Sequence, residues 1–452
     1  MKQTERANFG SRLGIILATA GSAVGLGNVW RFPTMTGENG GAAFILVYIV
    51  CVLLLGLPCM LNEFIIGRRA QANTARAYAK LAGGRPWRFI GYFGVFTGFI
   101  ITSYYCVVSG WCLQYVFAST VGQLDGDPAY VTQYFADFST NPWKPIVWML
   151  VFMLLTHFVI VKGVEKGIER ASKLMMPLLF ILLIVIAVAS CMLPGAGNGI
   201  SFLFSPDFSK VDSGVLLGAL GQAFYSLSLG MGCLCTYASY FSRQTNLTKS
   251  AVQIISIDTL IAILAGLMIF PAVFSVGGNV NAGPSLVFIT LPNVFNQAFS
   301  AMPIVGHLIA MLFYLLLSVA ALTSLISLHE VSTAFFHEEL NISRSKGATI
   351  VTVLCSFIGV FCSLSFYDTD ISLFGMQLFD LFDFTSGQIF LPLGGFLTCL
   401  FVGWYVPKHI LKEELTNQGT LKGQFFVIYF FCVRYVCPTC ILLIFLHQLG
   451  VV

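Results

Sequence analysis

Charge is what this chain lacks. Asp, Glu, Lys and Arg make up 10% of its 452 residues, where soluble domains carry about 25%. With so little charge to cover a water-facing surface, 57% hydrophobic residues and a mean hydropathy of +0.84, it reads as a polytopic membrane protein. The formal net charge of +4 is too small for the basic surface of a nucleic-acid binder. Cysteine is missing from the polar outer loops. All 13 lie in or beside apolar runs, which excludes a disulfide framework. Cys437 and Cys440 match C-x-x-C without a second pair at zinc spacing, so packing is the better reading. An intramembrane enzyme needs a nucleophile with its base, or clustered metal ligands, and His157, His307 and His329 are scattered. Nor is there the repeated ring of charge that suggests a channel.

What is present is apolar length. Runs of about 20 residues predict eleven spans, near 13–35, 42–66, 89–118, 146–161, 173–193, 214–240, 250–276, 304–336, 347–366, 379–406 and 424–447. With the amino terminus inside, twenty of the 24 Lys and Arg residues fall in inner segments. Outer loops then hold only Lys144 and Lys210, while Arg31 and Arg434 lie within spans. That asymmetry sets orientation, and an odd span count puts the carboxyl terminus outside. Ala18-Thr-Ala20 has the form of a signal-peptidase site, but the span continues beyond it and is expected to be retained. The sequons at Asn246 and Asn341 fall inside and are expected to be silent.

Two spans are interrupted. Gly21-Ser-Ala-Val-Gly-Leu-Gly-Asn-Val-Trp-Arg-Phe-Pro33 sits in the first, with three glycines, a polar Asn28 and a charged Arg31. Glycine lowers the cost of leaving the helix, and hydrocarbon tolerates free backbone only where it lines an enclosed cavity. In the sixth, Gly221 to Gly232 again places glycines and hydroxyls at mid-membrane. The second break comes five spans after the first, so a copy of such a five-span unit inserts upside down. Corresponding broken helices point to an inverted repeat with a ligand site between its halves. The two halves share no residue-level identity, so the repeat rests on position alone.

The stretch Gly21 to Pro33, the pair Tyr104-Tyr105, Ser226-Leu-Ser-Leu-Gly230 with Thr236-Tyr-Ala-Ser-Tyr240, and Ala321-Leu-Thr-Ser324 resemble the neurotransmitter:sodium symporter family. The likeness is to its bacterial branch, close to the leucine and hydrophobic amino-acid transporters, and runs from about Arg6 to about residue 406. It implies an all-α polytopic membrane protein of about eleven transmembrane helices, with a leucine-transporter-like five-plus-five inverted repeat and broken helices 1 and 6. The expected organisation is one transporter domain over 1–452. Repeat one covers about 10–195, repeat two about 212–406 and an extra helix about 424–447. The implied activity is sodium-coupled symport of a small neutral, hydrophobic or aromatic L-amino acid by alternating access, and not an enzymatic one. The expected location is the bacterial inner (cytoplasmic) membrane. Expected partners are the substrate and the lipid bilayer, with no nucleic acid, and the oligomeric state stays open. The rival reading is an amino-acid-binding membrane sensor without coupled transport.

By family pattern two sodium ions are implied, each needing oxygen ligands. Site one takes the Ala23 carbonyl, the Asn28 side-chain oxygen, Ser226, Asp258 on span 7 and the substrate carboxylate. Site two takes carbonyls of Gly21, Val24 and Ala320 with the hydroxyls of Thr323 and Ser324. The carboxylate is expected at the N–H groups of Leu26 and Gly27, since half-helix amino termini attract anions, and at the Tyr105 hydroxyl. The ammonium is expected at carbonyls of Ala23, Tyr225 and Ser226 and at Ser228. Ile101, Tyr225, Met231, Ser324, Leu325 and Leu328 are expected to line the side-chain pocket.

Asp258 stands where animal relatives carry asparagine. Those relatives hold chloride at positions matching Tyr48, Gln222, Ser226, Asp258 and Ala262, and a fixed carboxylate here implies no chloride requirement. It could also carry a proton on the empty return step. The implied outer gate is Arg31 with Asp383, under a lid of Tyr105 and Tyr225; the inner gate is Arg6 with Glu338, beside Phe9 and Tyr240. Glu63 is expected to accept backbone hydrogen bonds freed by the break in span 6. Gly167 and Pro177 predict an inner end of span 5 that can unwind, with a tolerated proline kink as the other reading. No role is assigned to Glu330 or Asp380.

Overall fold

The computed structural model describes residues 8–278, 286–367, 371–423 and 425–448, so Arg6 lies outside the described residues. The chain is a mostly helical membrane protein. Among the described residues nine helices are long and apolar enough to cross a bilayer: Ala42–Ala70, Pro86–Thr120, Lys144–Val161, Val164–Cys191, Leu247–Ser275, Pro303–Glu339, Arg344–Leu364, Leu378–Tyr405 and Phe426–His447. These are spans 2 to 5 and 7 to 11. Span 1 is a pair, Arg12–Ala23 and Gly27–Glu38, bent by 55°.

Span 6 does not pass that length test. It is split into Ser213–Ser226 and Cys233–Ala238. The longer piece has 14 residues, about 21 Å of helix against the roughly 30 Å of a hydrocarbon core. Between the pieces Ser228, Gly230 and Gly232 hold φ of 54°, 86° and 76°, the left-handed region that ends helices. The second piece is received by Gly67 of span 2. A Cβ there would stand 2.1 Å from the Cys235 carbonyl oxygen, so only glycine allows this approach.

Spans 3 and 8 pack on each other along their length and against spans 4 and 9. The outward faces of the bundle are apolar and exposed, as at Leu154, Phe158, Ile181, Val188 and Phe357, which is where acyl chains belong. Five shorter helices link the spans: Thr74–Ala82, Pro128–Ser139, Ala196–Phe204, Leu291–Ala298 and Lys408–Leu415. A two-residue antiparallel hairpin pairs Ser372–Leu373 with Met376–Gln377. In this structure the start of span 5 is wound from Val164 as a wide helical turn that runs into Arg170–Cys191, with Pro177 inside. Glu169 clamps it there, accepting from Gly10 N at 2.6 Å and Ser11 Oγ at 2.7 Å and pairing with Lys173 at 2.7 Å.

Candidate functional site

The two breaks face each other across one cavity. Its empty volume is about 500 Å³, and it is lined by Ser22, Ala23, Gly25, Leu26, Gly27, Ile101, Tyr104, Tyr105, Tyr225, Ser226, Ser228, Met231, Ser324, Leu328 and Leu391. Span 1 supplies unwound backbone because helix ends at Val24, whose ψ of 110° is extended. Span 6 supplies Ser228, whose hydroxyl donates to the Ser22 carbonyl at 3.2 Å and ties one break to the other. The N–H of Leu26 points at the Tyr105 hydroxyl, 3.4 Å away. Glu63 takes up the backbone that span 6 leaves free, accepting from Gly230 N at 2.7 Å and Cys235 N at 3.2 Å.

Beside the cavity lies a buried carboxylate. Asp258 accepts from Asn28 Nδ2 at 2.8 Å, Ser226 Oγ at 3.0 Å and the Tyr48 hydroxyl at 3.4 Å, all four side chains being almost fully buried. Asn28 bridges this carboxylate and the break in span 1. Its amide nitrogen faces Asp258 and its oxygen accepts from Gly25 N at 3.0 Å, because the carboxylate offers only acceptors. That oxygen keeps a second lone pair. Both amide atoms of the buried Gln222 lack a partner among the described residues.

A second oxygen cluster lies where span 1 crosses span 8. Thr323 Oγ1 donates to Ala320 O at 2.9 Å and to Val24 O at 3.4 Å, and Ser324 Oγ donates to Val24 O at 3.2 Å. Gly21 completes the crossing, since a Cβ there would lie 3.3 Å from Thr323 Cβ. All five positions implied for sodium site two therefore meet at this crossing.

A smaller cavity, about 310 Å³ in empty volume, adjoins the first and is lined by Arg31, Gly221, Phe224, Tyr225, Gly387, Leu391, Pro392, Ile441 and Ile444. Tyr225 and Leu391 line both. Arg31 lies over the Tyr225 ring, its guanidinium carbon 4.3 Å from the centroid. Arg31 and Asp383, the implied outer gate, are not in ion-pair contact in this structure, among the described residues. The ring holds the cation instead. At the opposite end Phe9 is buried edge-on to Tyr237 and Tyr240, at 5.9 and 6.1 Å, and its N–H donates to Tyr240 O. Glu338 accepts from the backbone and side chain of Asn73 at 2.9 and 3.0 Å.

Leu325, expected at the side-chain pocket, is fully buried and is not among the residues that line the cavity in this structure. Ser324 and Leu328 sit four residues apart on one face of span 8, and Leu325 is turned about 100° from Ser324 into the packing. Four lining residues escaped the sequence reading: Ser22, Gly25, Tyr104 and Leu391. Ser22, Gly25 and Tyr104 neighbour predicted positions and were within reach of helical phase. Leu391 is far from every motif, and no sequence signal marked it. Glu330, left without a role, receives Arg344 through two contacts of 2.9 and 2.5 Å and the Tyr240 hydroxyl at 2.6 Å.

The family model described as the sodium:neurotransmitter symporter family matches residues 6–131 and 129–452. The chain is 39% identical over 454 residues to an uncharacterized sodium-dependent transporter, YhdH, of Bacillus subtilis, covering all of this chain and 99% of that one. It is 25% identical over 419 residues to the sodium-dependent nutrient amino acid transporter 1 of Drosophila pseudoobscura pseudoobscura, covering 79% of this chain and 63% of that one. The crystal structure of MhsT in complex with L-phenylalanine superposes with a TM-score of 0.88 at 44% identity, covering 98% of this chain and all of the other.

Proposed function

The chain belongs to the sodium:neurotransmitter symporter family, and we propose that it imports a small neutral L-amino acid, hydrophobic or aromatic, with two sodium ions and without chloride. The observation that carries this reading is the cavity between the breaks. It has apolar walls at Ile101, Met231 and Leu328, a tyrosine on either side, and hydroxyls and half-helix backbone at one end. That polar end suits a zwitterion, with the carboxylate at Leu26 and Gly27 N–H groups and the ammonium at carbonyls of Ala23, Tyr225 and Ser226 and at Ser228. Met231 lets the wall adapt to ring size. MhsT was crystallised with L-phenylalanine, which supports the aromatic choice.

Site one then consists of Ala23 O, Asn28, Ser226, Asp258 and the bound carboxylate. Site two consists of Gly21 O, Val24 O, Ala320 O, Thr323 and Ser324. Two sodium ions bring two positive charges into a low-dielectric centre to which the zwitterion adds none. The Asp258 carboxylate, 3.0 Å from Ser226 Oγ, offsets one of them directly. Outer closure draws Arg31 toward Asp383 over the Tyr105 and Tyr225 lid, and the inner path closes at Arg6, Glu338, Phe9 and Tyr240. The amino terminus lies inside, and the two five-span units work as inverted halves in a bacterial inner membrane.

The test is uptake in proteoliposomes. An inward sodium gradient should concentrate phenylalanine or leucine, and uptake should persist when gluconate replaces chloride. Asp258→Asn should lower uptake at least tenfold or make it respond to chloride. Wild-type uptake that survives replacement of sodium by choline removes the coupling, and uptake that stops without chloride removes the role given to Asp258.

A further inference from the structure

Arg434 has no place in the transport reading. It lies within Phe426–His447, a helix long and apolar enough to cross a bilayer, where an uncompensated cation is costly. Among the described residues no carboxylate pairs with it, and its buried Nε has no hydrogen-bond partner. The guanidinium instead rests on aromatic faces, 4.2 Å from the Trp404 centroid, 5.6 Å from Tyr435 and 5.8 Å from Phe430. Lys408 is exposed and sits over that same Phe430 ring at 4.7 Å. Two cations therefore converge on one ring. The acids of the short helix carrying Lys408 are turned elsewhere, Glu414 to Arg68 and Glu413 to Arg69.

The surroundings are those of a membrane boundary. Trp404 is in the last turn of span 10, 56% exposed, and its indole N–H donates to the Arg434 carbonyl at 3.2 Å. Trp87, Tyr405 and Tyr435 lie at the same end, as an interfacial aromatic belt does. Deeper along the same helix the wall is apolar and open, with Leu442 43% and Leu443 42% exposed.

We infer that the groove between spans 10 and 11 binds the headgroup of an anionic phospholipid, its phosphodiester held by Arg434 and Lys408 and its acyl chains running deeper along span 11 toward the exposed Leu442 and Leu443. The guanidinium fork suits two phosphate oxygens at once, while Lys408 adds a point charge one turn nearer the water. A zwitterionic headgroup would place its own ammonium beside Lys408, so net-negative lipid is favoured. Basic pockets between helices at a membrane boundary select such lipids in general.

The test is native mass spectrometry of the purified full chain with dioctanoyl phosphatidylglycerol, dioctanoyl phosphatidylcholine and glycerol 3-phosphate. The wild type should retain phosphatidylglycerol over phosphatidylcholine. Arg434→Gln and Lys408→Gln should each cut that preference about fivefold, the order expected for one basic residue, and Lys144→Gln at the far end should leave it intact. If Arg434→Gln does not fold, the exposed Lys408→Gln decides. Equal retention of the two lipids by the wild type, an unchanged preference in Lys408→Gln, or displacement of phosphatidylglycerol by equimolar glycerol 3-phosphate overturns the inference.

Discussion

Replacing Gly25 by alanine should weaken sodium-dependent substrate binding through a single hydroxyl. A Cβ at Gly25 would stand 2.3 Å from Ser324 Oγ, and 3.3 Å from both Ser324 Cβ and the Tyr105 hydroxyl. Carbon and oxygen rest at about 3.3–3.6 Å, so only the first contact is untenable, short by about 1 Å. Ser324 Oγ is the end of a side chain and can rotate. Doing so breaks its 3.2 Å contact with Val24 O and moves a proposed site-two ligand. Overpacking of this kind costs about 1–3 kcal/mol. If the sodium-loaded form carries all of it, the half-saturating sodium concentration rises about 5–150-fold. Titrating sodium against binding of radiolabelled phenylalanine measures the shift. Ser324→Ala should raise the same midpoint, and Gly25→Ala with Ser324→Ala should do little more than Ser324→Ala alone, since the clashing atom is gone. An unshifted midpoint in Gly25→Ala, or costs that simply add in the double variant, would refute the reasoning.

Two further outcomes are expected. Glu63→Ala leaves the N–H groups of Gly230 and Cys235 without their acceptor. At about 1–3 kcal/mol for each buried orphan, it should lower thermal stability in detergent well beyond Glu63→Gln, which keeps one acceptor oxygen; equal melting of the two variants would contradict this. Leu325→Ala should cost about 2–5 kcal/mol of stability as a core truncation while changing phenylalanine affinity less than about threefold. Leu328→Ala opens the cavity wall and should shift preference toward larger rings in a competition assay.

The parts of the site that could be read from sequence were those in which a residue type contradicts its surroundings. Glycines at mid-span located both breaks, and Asp258, Glu63 and Arg31 stood out because hydrocarbon excludes charge. Each was found bonded to another break or ring. Partners supplied by ordinary residues were hidden. Arg344 was counted as an inner-loop charge, yet it pairs with the fully buried Glu330. Arg68 was counted the same way and is buried against Glu414. Charge counting reports which side of the membrane a residue faces and says nothing of what lies opposite it. The linking helices were missed because they run 8–12 residues, too short for a hydropathy run. Leu325 shows the limit of carrying over a family position: its neighbour Ser324 lines the cavity, while Leu325, about 100° further round the helix, is packed in the core.

The acceptor that holds span 6 open lies 167 residues earlier in the chain. Neither piece of span 6 can satisfy Gly230 and Cys235 by itself, and lipid offers no hydrogen-bonding group in its core. Order of assembly follows from this. As the ribosome delivers span 6, span 2 must already stand beside it with Glu63 in reach, or the segment winds into a plain helix that satisfies its own backbone. The broken shape is therefore a property of spans 2 and 6 together and not of span 6 alone, and a chain cut before span 6 would leave Glu63 without these two donors.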